Sequence, residues 1–113
     1  MENNPIIILT SVSSHQEGEK LASGLVENEL AACVNILPKM TSVYRWKKIV
    51  NVESEYELLI KTTQHLENQV YVFIQDTHSY EVPEIITLNI KNIDKKYYEW
   101  LNSNIQLKTN GKY

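Results

Sequence analysis

Two features of this sequence could bind metal or handle charge: a lone thiol, Cys33, and the run His78-Ser79-Tyr80-Glu81-Val82-Pro83-Glu84. Thiolate and imidazole are soft donors suited to copper(I) and zinc, and carboxylates add affinity for harder ions. The candidate metal ligands are therefore His78, Glu81, Glu84 and Cys33. Each also has a plainer reading. Cys33, between Ala32 and Val34, fits a small core residue. His78 fits a hydrogen-bonded structural residue, and Glu81 and Glu84 could neutralise Lys61 or Arg45. His15 and His65 lie near expected helix starts, on what should be surface, and are not read as ligands. No Ser/His/Asp or Cys/His arrangement can be assembled from the spacing, so no enzyme is expected. CxxC, HxH and HExxH spacings are missing too, which argues against a structural zinc site within one chain.

The elements that must position these residues follow from periodicity. Ile6 to Val12 is apolar on successive positions, the pattern of a strand buried on both faces. Ser14-His15-Gln16-Glu17 reads as a capping box, and Leu21, Ala22, Leu25, Val26 and Leu30 recur at helical spacing behind it. Gly24 within that helix costs about 1 kcal/mol relative to alanine, which hints at close packing there. Ala31 to Ile36 is a second strand. It resumes after Pro38 at Thr41 to Trp46, as one long strand with a bulge at Leu37-Pro38. Trp46-Lys47-Lys48-Ile49 forms a hairpin tip, and Glu53 to Thr62 returns with Tyr56, Leu58, Ile60 and Thr62 on one face and Glu55, Glu57, Leu59 and Lys61 on the other.

Thr63 or Gln64 opens a second helix carrying Leu66, Val70, Phe73 and Ile74 along one side. The polar run that contains His78 comes next. Pro83 lacks a backbone N–H and pushes Val82 toward extended geometry, so this run approaches the next strand, Ile85 to Ile90, without forming a helix. Asp94 caps a last helix bearing Tyr97, Trp100 and Leu101, with Trp100 read as core. The tail from Asn102 onward is polar and expected to be loosely held.

The order β-α-β-β-α-β plus a terminal helix predicts an α+β fold of ferredoxin-like type, with two helices on one face of a four-stranded antiparallel sheet. Residues 1–113 read as a single domain, with a core over about 5–101. Two helices cannot cover the long middle hairpin. Its overhang predicts an oligomer joined there, because exposed edges are normally covered or paired. Tyr44, Trp46, Lys61 and Tyr80 are then candidates for an intersubunit cleft, and Trp46 is expected to bury against a neighbour.

Composition narrows the function. The formal net charge of -3 and a single arginine give no reason to expect nucleic acid or an acidic membrane surface as partner. An unpaired cysteine fits a reducing compartment, and the start of the chain lacks a basic signal-peptide region, so a cytoplasmic location is expected. The apolar run Ile6 to Leu9 is too short to span a membrane. RNA-recognition domains need aromatics on the central strands, and Ile6-Ile7-Ile8-Leu9 has none. Acylphosphatase-like catalysis needs an arginine after the first strand, where Ser11-Val12-Ser13-Ser14 carries no positive charge.

Four blocks in order carry a family resemblance: Leu30-Ala31-Ala32-Cys33-Val34-Asn35-Ile36-Leu37-Pro38, Ser42-Val43-Tyr44-Arg45-Trp46, Glu57-Leu58-Leu59-Ile60-Lys61-Thr62, and His78 to Ile86. With them the chain resembles the CutA family of divalent-cation tolerance proteins from Ile6 to about Leu101. The resemblance implies a compact homotrimer, an association with tolerance of copper and other divalent cations, no obligatory cofactor, and no well-established catalysis. The sequence departs from the family pattern at Ser79, where a proline is usual, and at Lys47-Lys48, where a glycine is. Asn89 replaces a common proline and Ile93 a common glycine. These changes predict altered loop flexibility with the fold retained. Thr10 and Thr77 stand where some members carry a second cysteine and a second histidine, which counts against a copper site built from those ligands. An alternative function is a trimeric PII-like signalling module with a small anion in the intersubunit cleft, held by Lys61 and Arg45. Three unclustered glycines offer it no phosphate cradle.

Overall fold

The structure, a computed structural model, describes residues 3–107. Five strands and three α-helices run in the order β1 (Pro5–Val12), α1 (His15–Glu27), β2 (Cys33–Ile36), β3 (Met40–Trp46), β4 (Ile49–Thr63), α2 (Glu67–Thr77), β5 (Ile86–Asn89) and α3 (Lys95–Ser103), with a 3-10 turn at Gln64–Leu66. The strands order as β2-β4-β1-β5, all antiparallel, and β3 pairs with the other half of β4. The α+β architecture and its antiparallel sheet match the expectation. None of the described helices is long and apolar enough to cross a membrane.

β1 sits in the middle of the sheet because both of its edges are paired, to β4 and to β5. Its even positions, Ile6, Ile8, Thr10 and Val12, are fully buried with Leu58 and Ile60 of β4 against Leu25, Val70 and Ile74 of the helices. Each such aliphatic side chain contributes roughly 1.5–3 kcal/mol by leaving water. The opposite face, with Ile7 and Leu9, is only half-buried. The expectation of burial on both faces thus holds fully for one face alone, since α1 and α2 pack on the same side.

α1 starts as its sequence dictates. The Ser14 hydroxyl accepts the Glu17 N–H at 3.1 Å, satisfying one of the orphan donors of the first turn. The Glu17 carboxylate does not close the box; it accepts from the Ser13 hydroxyl and from Ser79 instead. The helix ends at Glu27. Glu29, at φ 57°, turns the chain, while Leu30 N–H donates to Leu25 O and Glu29 N–H to Val26 O, the two bonds of a Schellman motif. Leu30 therefore reaches the core from outside the helix. A Cβ on Gly24 would lie 2.6 Å from Phe73 Cζ, so the close packing read from that glycine is the α1–α2 contact.

The middle hairpin is longer and less continuous than predicted. β2 pairs Ile36 with Leu58, and β3 resumes at Met40 opposite Glu55. Three residues, Leu37-Pro38-Lys39, thus face two, Tyr56 and Glu57, which is one extra residue, a bulge. β4 begins at Ile49, four residues earlier than the predicted Glu53. Trp46 pairs with Ile49, and the two loop residues Lys47 and Lys48 both hold positive φ, 50° and 69°. Two-residue hairpins need that geometry and prefer Asn-Gly for it, so the lysines carry backbone strain.

Two expectations fail at the C-terminal end. Trp100 is 45% exposed, not core. Helical spacing buries Leu101 and leaves its neighbour, one residue back and about 100° round the helix, outside. Asp94 does cap α3, accepting the Tyr97 N–H at 3.1 Å. The tail is not loose up to Gln106: Ile105 is buried, the Gln106 N–H donates to Glu29 O, and His65 Nε2 donates to Gln106 O at 2.8 Å. His65 therefore fastens the segment after α3 at Gln106 and does not sit free on the surface. The rest of the tail, from 108, lies outside the described residues.

Candidate functional site

α2 delivers His78 to the end of β1. The helix stops there because His78 takes extended geometry, φ -73° and ψ 143°, and its side chain turns inward until none of it is exposed. Nε2 lies 2.7 Å from Ser11 O, and Nδ1 is 3.0 Å from the Tyr80 N–H. A carbonyl can only accept and an N–H can only donate, so Nε2 carries the proton and Nδ1 accepts. That is the neutral tautomer with both nitrogens in use. The bond to β1 holds the following turn against the sheet, and His78 has no lone pair left for a metal.

Ser79 tightens the same turn. Its N–H and hydroxyl donate to the two oxygens of Glu17 at 3.0 and 3.1 Å. A proline could supply neither donor, so the departure expected to alter the flexibility of this loop ties its turn to α1. Burial works to raise the Glu17 pKa, but the hydrogen bonds from Ser79 and the Ser13 hydroxyl outweigh it and hold the carboxyl below its usual value.

Tyr80 then reaches over the outer face of the sheet, and its hydroxyl donates to Glu55 Oε2 at 2.6 Å. Burial, followed by that bond and the charge of Glu55, raises the phenol well above its ordinary range. Tyr44 repeats the pattern across the hairpin, donating to Glu53 Oε1 at 2.6 Å, and this bond raises its phenol too. Beside Glu55, the Glu57 carboxyl meets Glu84. Burial, then the charge of Glu84 and a hydrogen bond to it, then the charge of Glu55, push Glu57 up to about 7. Glu57 therefore holds its proton more tightly than an exposed carboxyl, since a second negative charge beside Glu84 and Glu55 is costly there.

Between the hairpin and the 80–84 segment lies a cavity of about 500 Å³, walled by Tyr44, Trp46, Glu55, Tyr80, Glu81 and Glu84. The hairpin residues face it together because Ser42, Tyr44 and Trp46 alternate along β3 on the face shared with Glu55 of β4. The sequence reading had Tyr44, Trp46 and Tyr80 in one cleft, and the structure does bring these three together. Lys61 is not with them. Its ammonium lies 5.9 Å from the Tyr97 ring centroid, at the far end of β4. Neither Lys61 nor Arg45 lines the cavity, and among the described residues neither pairs with Glu81 or Glu84.

Cys33 also lies apart. It pairs with Lys61, four residues along β4 from Glu57, about 13 Å at roughly 3.3 Å per residue. It is half-buried and not a core residue, because the core face of β2 belongs to Val34 and Ile36. Its Sγ is 3.8 Å from Asn35 Oδ1. Among the described residues no three His, Cys, Asp or Glu side chains converge on one metal position. Within one subunit, His78, Glu81, Glu84 and Cys33 do not fit a metal centre. Sequence reasoning passed over Glu55 and Glu57 as site residues. The signal was there, since the alternation along β4 placed both on the charged face.

Known proteins agree with this architecture. The family model for the CutA1 divalent ion tolerance protein matches residues 6–104. A divalent-cation tolerance protein CutA of Thermus thermophilus is 41% identical over 98 residues, covering 87% of this chain and 95% of that protein. The chloroplastic protein CutA of Arabidopsis thaliana is 43% identical over 96 residues, and there the match spans 85% of this chain but only 53% of the plant protein. The crystal structure of the divalent ion tolerance protein CutA1 from Ehrlichia chaffeensis superposes with a TM-score of 0.89 at 31% identity, over 95% of this chain and 100% of that one. The chain belongs to the CutA1 divalent ion tolerance family.

Proposed function

We propose that this chain serves in tolerance of divalent cations, copper among them, as a cytoplasmic homotrimer that catalyses no reaction. Family membership supports the first part. One observation carries the assembly: the β3–β4 hairpin leaves Val43, Val50 and Val52, which share one face, between 57% and 67% exposed. A two-stranded ribbon is marginal by itself, and contiguous apolar surface of this kind marks an interface. Trp46, 41% exposed at the tip, is expected to bury against a neighbouring copy in that assembly. The strand order and the helices on one face support the ferredoxin-like reading of the subunit, with the bare face, including Ile86 and Leu88, available for a second contact.

For metal binding, His78 is consumed, and Glu81 and Glu84 are the donors that remain near the cavity. A site using them needs further ligands from another copy. Light scattering on the eluted protein should give the mass of three 13.1 kDa chains, and a monomer would refute the assembly. Calorimetric titration of copper and zinc should give heat that falls in Glu81→Gln/Glu84→Gln. Metal binding unaffected by that double change would remove these carboxylates from the site, and no binding at all would leave the tolerance role indirect.

A further inference from the structure

We infer that the imidazole of His78 is a proton-operated latch. When neutral, it fastens the start of the 80–84 segment to the sheet. On taking a second proton, it lets the backbone go at Tyr80. The ring has no spare position: Nε2 donates to Ser11 O at 2.7 Å and Nδ1 accepts the Tyr80 N–H at 3.0 Å. The carbonyl can only accept and the amide can only donate, so one protonation state alone satisfies both. A proton on Nδ1 sets donor against donor across that 3.0 Å, and the Tyr80 bond must break.

A second observation supplies the other state of the latch. Glu17 Oε2 lies 3.8 Å from the same Nδ1, too far for a hydrogen bond and near enough to receive an imidazolium N–H after a small movement. That oxygen already accepts the Ser79 N–H at 3.0 Å, and it has a second lone pair to offer. Hydrogen bonds from Ser79 and Ser13 hold the Glu17 carboxyl below its usual value, so the anion persists through the range in which histidines change charge. Among the described residues no Lys or Arg pairs with Glu17, although Lys20 borders the same groove.

The other groups around the ring do not compete. β4 places Glu57 opposite Ser11 and Glu55 on the Tyr80 hydroxyl, but of the described carboxylates only Glu17 pairs with the imidazole. The Tyr80 ring lies 4.8 Å from it, tilted. The His78 side chain has no exposed surface within the single chain, so a copy docked on the hairpin leaves these contacts as they are. After release, Ser79 stays tied to Glu17, while Tyr80 keeps only its hydroxyl bond to Glu55. Glu81 and Glu84 ride on the freed stretch, so acidity changes where those carboxylates stand. Neither a metal nor the trimer enters this argument. It goes beyond the cation-tolerance reading, and its failure would leave that reading intact.

Nitrogen-15 NMR of the full chain, from about pH 8 down to about pH 5, tests it. The imidazole nitrogens report where the proton sits, and amide exchange, corrected for its intrinsic pH dependence, reports the Tyr80 bond. At the alkaline end His78 should carry its proton on Nε2 alone. As the ring gains the second proton, Tyr80 amide protection should fall at least about tenfold with the same midpoint, while that of Ser79 changes less than about threefold. Glu17→Gln should move the midpoint down by at least about half a pH unit. Glu57→Gln should leave the fall in place, which separates the latch from the titration of Glu57. A proton on Nδ1 at the alkaline end, an imidazole still neutral at the acid end, or Tyr80 protection that ignores the ring's titration would each overturn the inference. So would equal losses at Ser79 and Tyr80, a midpoint unmoved in Glu17→Gln, or a fall that vanishes in Glu57→Gln.

Discussion

The two halves of β4 have similar apolar content and opposite fates. From Ile49 to Ser54 the strand is bonded on one side only, to β3, and its Ile49, Val50 and Val52 stand in water. From Tyr56 to Thr63 it is flanked by β1, with β2 on the other edge over Leu58 to Lys61, and Leu58, Ile60 and Thr62 are fully buried. Hydrophobicity alone therefore does not decide burial along a strand. The number of neighbours does, and so does a helix layer over one half that stops short of the other. The boundary falls at Glu55 and Glu57, where charge meets the end of the covered zone, and the cavity sits at that junction.

The sharpest way to break the comparison is to truncate one apolar side chain in each half. Leu58→Ala should cost about 3 kcal/mol in urea denaturation, because it opens a cavity in a fully buried position. Val52→Ala should change the stability of the dilute subunit by less than about 0.5 kcal/mol. Equal losses would mean the exposed half is covered in the folded chain itself. Next in size is Thr10, whose hydroxyl is buried in the packed half with no hydrogen-bond partner. Thr10→Val should stabilise by about 1.5 kcal/mol, since an unsatisfied hydroxyl is removed at nearly constant shape; destabilisation in the same assay would show that the hydroxyl has a partner in solution.

In the hairpin half, replacing Lys47-Lys48 by Asn-Gly should raise stability by about 1 kcal/mol, by relieving two positive-φ lysines. A thermal melt without any increase would place the strain elsewhere. The smallest effect belongs to the junction. Glu57 has its folded pKa raised to about 7 from 4.5, so the folded state binds the extra proton between those values. Its contribution is fully present below about pH 4.5 and is lost as pH rises through 7. For this partly exposed pair the effect is about 0.5 kcal/mol after screening. Glu57→Gln should flatten that decline between pH 5 and 8, and a slope matching the wild type would assign the titration to another group.

Much of the scaffold could be read from local chemistry. Ser14 and Asp94 cap the helices as their positions demand, Gly24 marks the α1–α2 contact, and Leu58, Ile60 and Thr62 alternate into the core. These signals act within a few residues and so survive without tertiary knowledge. The site was less legible because its decisive facts join distant segments. Ser11 O accepts the Nε2–H hydrogen bond of His78 from 67 positions away, which turns a candidate ligand into a structural pin. Cys33 looked like core from its neighbours, but its alternate position on β2 points it away from the helices. Trp100 was misread because a short amphipathic helix packs along a narrow stripe, and one step round the helix is enough to leave it.

The bulge at Leu37-Pro38-Lys39 bears on how the chain can tolerate changes in length. It puts Cys33 and Asn35, at odd positions, on the same face as Ser42, Tyr44 and Trp46, at even ones. Beyond the bulge, pairing is set by the tight turn and by β4, so deleting one of these three residues would only flatten the kink and leave every cavity side chain where it is. The same single deletion inside β4 would turn every residue on one side of it to the opposite face of the sheet. Insertions and deletions in relatives of this chain should therefore collect at 37–39 and avoid 53–60.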